Sequence, residues 1–223
     1  MWTDAVLFDL FNTLVPGGSD AERAAISEQM GTDVGVDPAA FARLLHETWP
    51  LRFRGELGDL ASTVRAIAIR LGADPPDSAV RRACGRRLDF ARRLLTPSAT
   101  TLQTLDALRN KGFPLGLVTN CSAETPLLWK STTLAEWFTA TGFSCELGVC
   151  KPDPAIYLAV CASLGVPPED CVFVGDGAVG ELDGAAAVGM RAIQVTELAN
   201  RDDPAPPWSG ERIATLTQLR ALE

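Results

Sequence analysis

From Ser98 onward the chain alternates short apolar runs with segments of helical spacing, and that rhythm admits essentially one kind of sheet. Leu102, Leu105 and Leu108 recur at helical spacing and stop at Gly112, after which Pro114 to Val118 reads as a strand running into Thr119 and Asn120. A helix carrying Leu127, Leu128, Leu134 and Trp137 comes next, then a short strand over Thr141 to Ser144 and a helix from Pro154 through Leu164. Cys171 to Val174 and Met190 to Val195 are two further strands, separated by the small-residue helix Gly184 to Val188. Near the amino terminus, AVLFDLFNTLV (Ala5 to Val15) supplies one more strand, ending at Asp9. Strands that alternate with helices imply an α/β fold, a doubly wound (Rossmann-like) parallel sheet. Asn200 to Gly210 reads as a loop, and Thr215 to Leu222 as a short closing helix.

Between the first strand and this rhythm lie helices with no strand among them. Ser19 and Glu22 form a capping box that opens a helix ending near Gly31. Asp37 and Pro38 start a second, with Phe41, Leu44, Leu45 and Thr48 on one face. WPLRFRGELG (Trp49 to Gly58) reads as irregular, with Trp49 assigned to the interior. Leu60, Val64, Ile67 and Leu71 mark a third helix closed by Gly72, and an arginine-rich fourth runs from about Asp77 to Leu95 with a solvated or acid-paired surface. The expected organisation is an α/β core from residues 1–16 and 97–223 with an inserted helical cap over 17–96. Gly17, Gly18 and the Thr96–Pro97 pair are its candidate hinges.

Composition narrows the function classes. The 223 residues are 47% apolar and carry a net charge of −8, so the chain can bury a full core and repels a phosphate backbone on average. No nucleic-acid partner is expected. No apolar run reaches the roughly 18 residues that span a bilayer, and Met1 to Asp4 lacks a basic signal-like start, so a cytoplasmic protein without a membrane partner is expected. The six cysteines show no CxxC spacing and read as reduced, structural residues. His46, the one histidine, has no triad or zinc partner near it in sequence.

The strand ends carry the chemistry. Asp9, then Thr119 with Asn120, then Lys151 ahead of its helix, then Asp176 with Glu181 five residues on, would all share one edge of a parallel sheet. Three carboxylates brought together need a cation beyond Lys151, and an all-oxygen set suits Mg²⁺.

This order and spacing resemble the haloacid dehalogenase-like hydrolase superfamily, whose four motifs stand here as FDLFNTL, LVTN, KPDP and VGDGAVGELDGA. The resemblance implies that Asp9 is the nucleophile, that Thr119 and the Asn120 backbone hold phosphoryl oxygens, and that Lys151 neutralises charge on both. It implies that Asp176, helped by Glu181, holds Mg²⁺ together with Asp9 and the carbonyl of Phe11. Phe11, Asn12 and Asn120 would border the substrate, a small phosphorylated molecule. Arg52 and Arg54, in the irregular stretch between cap helices, read either as an exposed loop pair or as a pair set to meet an anionic substrate group.

Two residues depart from the pattern. Phosphatases of the superfamily carry a second Asp two residues after the nucleophile as general acid; Phe11 stands there and gives no proton. Glu181 replaces the usual Asp, keeping the charge and adding one methylene. The aromatic at position 11 resembles the dehalogenase branch, in which the same Asp attacks a carbon of a halogenated acid. The Gly175–Asp176 pair, which that branch has lost, argues against it. A Mg²⁺-dependent phosphatase is therefore the first expectation, ahead of a catalytically weak or binding-only member and of a 2-haloacid dehalogenase.

Overall fold

The computed structural model describes residues 3–198 and 208–222. Along the chain come β1 (Ala5–Phe8), α1 (Asp20–Val34), α2 (Pro38–Glu47), α3 (Trp49–Phe53), α4 (Leu60–Arg70), α5 (Asp77–Leu94) and α6 (Ala99–Asn110). There follow β2 (Leu115–Thr119), α7 (Glu124–Trp129), β3 (Ala140–Phe143), α8 (Ser144–Leu147) and α9 (Pro154–Leu164). β4 (Cys171–Gly175), α10 (Glu181–Ala187), β5 (Arg191–Val195) and β6 (Glu211–Ile213) complete the order.

All strands run parallel in one six-stranded sheet ordered β3-β2-β1-β4-β5-β6. The chain winds outward from β1 in one direction and from β4 in the other. Crevices in such sheets open outside the carboxyl ends of the strands where the order reverses, between β1 and β4. Every residue of β1, β2 and β4 is buried, as a parallel sheet covered on both faces requires. Alternation divides the core in two. Val6 and Phe8 face one side with Leu105, Leu108, Trp129 and Val174, while Ala5 and Leu7 face the other with Tyr157, Val160 and Phe173.

The helices α1, α2, α4 and α5 have a core of their own, built on Met30, Phe41, Leu45, Val64, Ile67 and Val80. Their starts follow the local chemistry. Ser19 Oγ accepts from Glu22 N at 3.2 Å while Glu22 Oε2 accepts from Ser19 N at 3.0 Å, and Asp37 Oδ1 caps the next helix by accepting from Ala40 N at 2.7 Å.

Several boundaries differ from the sequence expectation. The first helix does not end at Gly31 but continues to Val34 and stops at Gly35, whose φ of 79° is left-handed. Gly31 has another role: a Cβ there would lie 2.8 Å from Phe41 Cβ and 2.9 Å from Pro38 Cα, so its bare α-carbon lets α1 and α2 cross closely. The stretch read as irregular contains α3, with Pro50 in its first turn. Trp49 is 40% exposed rather than interior. The helix expected across Leu127 to Trp137 breaks after Trp129, and only a single 3₁₀ turn recurs at Ala135–Trp137. The closing helix is 3₁₀ over Leu216–Ala221, and β6 was hidden by its three-residue length. Of the expected loop, 200–207 lies outside the described residues.

Candidate active site

Asp9 follows the last residue of β1, where its amide donates to Val174 O of the neighbouring β4 at 2.9 Å. The carboxylate is buried: Thr13 Oγ1 donates to Oδ2 at 3.1 Å and Lys151 Nζ donates to Oδ1. Lys151 arrives from the loop between α8 and α9. Its backbone is pinned by Asn120, whose Oδ1 accepts from Lys151 N at 2.8 Å and whose Nδ2 donates to Lys151 O at 3.2 Å.

The ammonium also donates to Glu181 Oε2 at 2.5 Å, and Glu181 Oε1 accepts from Gly177 N at 2.9 Å. Glu181 can lie against the end of β4 because Gly175 has no side chain; a Cβ there would sit 2.1 Å from Glu181 Oε1. Tyr157 OH donates to Glu181 O at 2.7 Å and fixes the start of α10. Asp176 is held by Ala178 N, which donates to its Oδ1 at 2.8 Å, and by Gln194 Nε2, which donates to its carbonyl at 2.8 Å.

Asp9, Asp176 and Glu181 thus bring carboxylate oxygens within 4.8 Å of one another, all buried. Lys151 is the one cation in contact with this group among the described residues. Burial raises the pKa of Asp9, with Lys151 opposing and Asp176 reinforcing the shift. Burial likewise pushes Glu181 up to about 8, against Lys151 and together with Asp9 and Asp176. Burial works against the charge on Lys151, but Asp9 and Glu181 outweigh it and hold the ammonium protonated far above its ordinary range. The site is short of positive charge. Its all-oxygen donors fit a hard divalent cation, which would meet that shortage.

Thr119, at the end of β2, is fully buried and its hydroxyl has no hydrogen-bond partner. An unsatisfied buried polar group costs about 1–3 kcal/mol, which a bound oxyanion would relieve.

Over Asp9, Lys151, Asp176 and Glu181 lies a cavity of about 340 Å³, at the small end of ligand sites. Phe11, Asn12, Asn120 and Arg52 all border it. The Asn12 side chain is already engaged, its Oδ1 accepting from Gly17 N at 2.9 Å. Arg54 does not reach the cavity. It is exposed and pairs with Glu56 at 3.0 Å, because two residues of helical path turn its side chain about 200° from that of Arg52.

Several cavity residues carry no sequence signal of their own. Arg87 of α5 pairs with Glu124 of α7 at 2.7 Å, and Ser122 Oγ donates to the same Glu124 Oε1 at 2.8 Å. Arg52 Nη1 donates to Ser122 Oγ at 3.1 Å. Trp49, Phe53 and Phe90 add an apolar wall, and the exposed His46 stands at the rim. None of the six cysteines is in a disulfide.

Comparison with known proteins agrees with this construction. The family model for haloacid dehalogenase-like hydrolases matches residues 3–189. Among curated proteins, the chain is 32% identical over 202 residues to glyceraldehyde 3-phosphate phosphatase of Methanopyrus kandleri, covering 86% of this chain and 83% of that one. Among solved structures, 2-haloacid dehalogenase from Pseudomonas syringae pv. Tomato DC3000 superposes with a TM-score of 0.71 at 24% identity, over 100% of this chain and 98% of that one. A HAD phosphatase from Thermococcus onnurineus gives a TM-score of 0.67 at 24% identity, over 98% and 96%. With the motifs on one sheet edge and a family match over most of its length, the chain belongs to the haloacid dehalogenase-like hydrolases.

Proposed function

We propose that the chain is a Mg²⁺-dependent phosphatase of a small phosphorylated metabolite, acting through an aspartyl phosphate on Asp9. One observation carries this reading: Asp176 and Glu181 are buried beside Asp9, an arrangement whose charge calls for a divalent cation and which attack on a carbon–halogen bond does not need. The relative named as a glyceraldehyde 3-phosphate phosphatase supports it. The reading includes a cap of residues 17–96 over a core of 1–16 and 97–223. It also includes a cytoplasmic setting, in keeping with cysteines free of disulfides. No helix among the described residues is long and apolar enough to cross a membrane.

Asp9, Asp176 and the Phe11 carbonyl would hold the ion, with Glu181 alongside. When bound, Mg²⁺ supplies neutralisation of phosphoryl charge. The chain does the rest. A carboxylate oxygen of Asp9 attacks phosphorus as the bond to the leaving oxygen breaks. Lys151 faces both nucleophile and phosphoryl group, and the free Thr119 hydroxyl with the Asn120 backbone N–H receives the equatorial oxygens. Water then attacks the phosphorus of the aspartyl phosphate, returning the carboxylate and releasing inorganic phosphate. Since Phe11 cannot protonate the leaving oxygen, substrates whose leaving group departs as a stable anion should turn over fastest.

Phe11 favours one other reading, hydrolysis of a 2-haloacid by the same Asp9. The two separate in a single set of assays. Phosphate release from p-nitrophenyl phosphate should require Mg²⁺, stop with EDTA and vanish in Asp9→Asn. Chloride release from 2-chloropropionate that survives EDTA, without phosphate release, overturns the phosphatase reading.

A further inference from the structure

The same cavity is lined by three arginines, Arg23, Arg52 and Arg87, and they are not equivalent. Arg23 lies 3.8 Å from Asp20, and Arg87 closes on Glu124 at 2.7 Å. Arg52 has no carboxylate within ion-pair distance among the described residues. Its guanidinium donates only to neutral oxygens, from Nη1 to Ser122 Oγ at 3.1 Å and from Nη2 to Leu45 O at 3.0 Å. Its Nε is buried and has no partner. Burial first, then Arg87, brings its pKa down to about 10, with Glu124 opposing, so it stays charged at neutral pH.

Arg52 and Arg87 share the single carboxylate of Glu124, which of the two only Arg87 contacts, so a guanidinium charge on the cavity wall is left over for an anionic ligand. Its position ties it to the reaction. Ser122, which it contacts, is three residues beyond Thr119 in the loop after β2, so the guanidinium and the phosphoryl pocket share one segment. Arg52 lines the same cavity of about 340 Å³ as Asp9 and Lys151, a volume that admits one small molecule.

We propose that Arg52 receives a carboxylate of the substrate, so that the substrate is a small phosphate monoester that is also a carboxylic acid. The inference rests on the phosphatase reading for the identity of the other end. A carboxylate fits better than a second phosphate. One free positive charge matches one negative charge, and the nearby Glu124 carboxylate, shared with Arg87 and Ser122, would repel a dianion. Trp49 and Phe53, packed edge to face at 5.5 Å, border the same cavity and offer apolar cover to the carbon skeleton.

Calorimetry on Asp9→Asn protein with Mg²⁺ present measures this subsite without turnover. The ligands are 3-phosphoglycerate, glycerol 3-phosphate, in which an alcohol replaces the carboxylate, and propane-1,3-diol bisphosphate. The carboxylate should bind about 10–100-fold more tightly than the alcohol, the range expected for a charge-assisted contact. Adding Arg52→Met should bring the two within threefold, and Arg52→Lys should keep part of the difference. Equal affinities in Asp9→Asn protein overturn the proposal, as do a stronger preference for the bisphosphate, a carboxylate preference that outlives Arg52→Met and Arg52→Lys alike, or no binding of any of the three. Phosphate release by the wild type, assayed separately on p-nitrophenyl phosphate, reports on the phosphatase reading. A carboxylate preference with no phosphate release would sink that reading and keep the carboxylate site.

Discussion

Lys151 Nζ lies 2.5 Å from Glu181 Oε2 while also donating to Asp9, so a single ammonium ties the end of β1 to the start of α10. Both side chains are almost wholly inaccessible to water, which makes the contact strong and its loss costly. In Lys151→Met the buried carboxylates lose their one built-in counter-charge. Phosphate release should fall by about 10²–10³-fold, as for loss of a preorganised donor at a developing charge. Thermal denaturation should show a lower melting temperature, and added Mg²⁺ should raise it more than in the wild type. Equal Mg²⁺ responses would show that Lys151 does not carry the charge balance.

Phe11 sits two residues beyond Asp9 and borders the cavity. Phe11→Asp should raise kcat on an alkyl phosphate such as glycerol 3-phosphate, by up to about 10²-fold at the low end of general acid catalysis. On p-nitrophenyl phosphate, whose leaving group departs without a proton, the same change should alter kcat much less. Rates that rise equally on both substrates would point to altered binding instead.

Arg87, partly buried, and Glu124, buried, join α5 to α7 through an ion pair at 2.7 Å. Burial alone would raise the Glu124 pKa, but Arg87 and then Arg52 outweigh it and leave it lowered. A carboxyl lowered on folding contributes stability that is complete above its unfolded value, near 4.3, and is lost as pH falls through the folded value. Glu124→Gln should cost about 3–5 kcal/mol at pH 7, because Arg87 is left unpaired. The gap in melting temperature between wild type and variant should narrow below about pH 4. A gap that stays constant from pH 7 to pH 3 would assign the loss to packing.

Gly31 is the contact point of α1 and α2. Gly31→Ala places a methyl at 2.8 Å from Phe41 Cβ and 2.9 Å from Pro38 Cα, neither of which is the free end of a flexible side chain. Overpacking of this kind costs about 1–3 kcal/mol, offset in part by the better helix propensity of Ala. Urea denaturation should show the midpoint fall with an unchanged m-value, and a stabilised Gly31→Ala would refute the close crossing.

Much of this molecule can be read from the one-dimensional pattern. The parallel sheet follows from the alternation of apolar runs with helices, because each strand must be buried on both faces and each crossover must span the sheet. The convergence of Asp9, Lys151 and Asp176 follows from that topology, since each stands just beyond the carboxyl end of a strand or in the loop before its helix, and Thr119 ends the neighbouring β2. Gly31 misled because a glycine that ends a helix and one that lets two helices touch look alike in sequence; only the neighbour at 2.8 Å distinguishes them.

The sequence by itself therefore determined the fold class, the helical block after the first strand and the order in which the polar strand ends follow one another. Tertiary structure decided which residues of that helical block face the meeting point. Arg52 and Arg54 are interchangeable as letters, yet one is left without a carboxylate in a cavity wall and the other is neutralised by Glu56 in solvent. Arg87 and Glu124, 37 positions apart, meet only because α5 packs on α7. Local pattern reports burial and helix phase, which depend on near neighbours. Whether a charge is paired depends on what long-range packing brings within about 4 Å of it, where the Coulomb term becomes large.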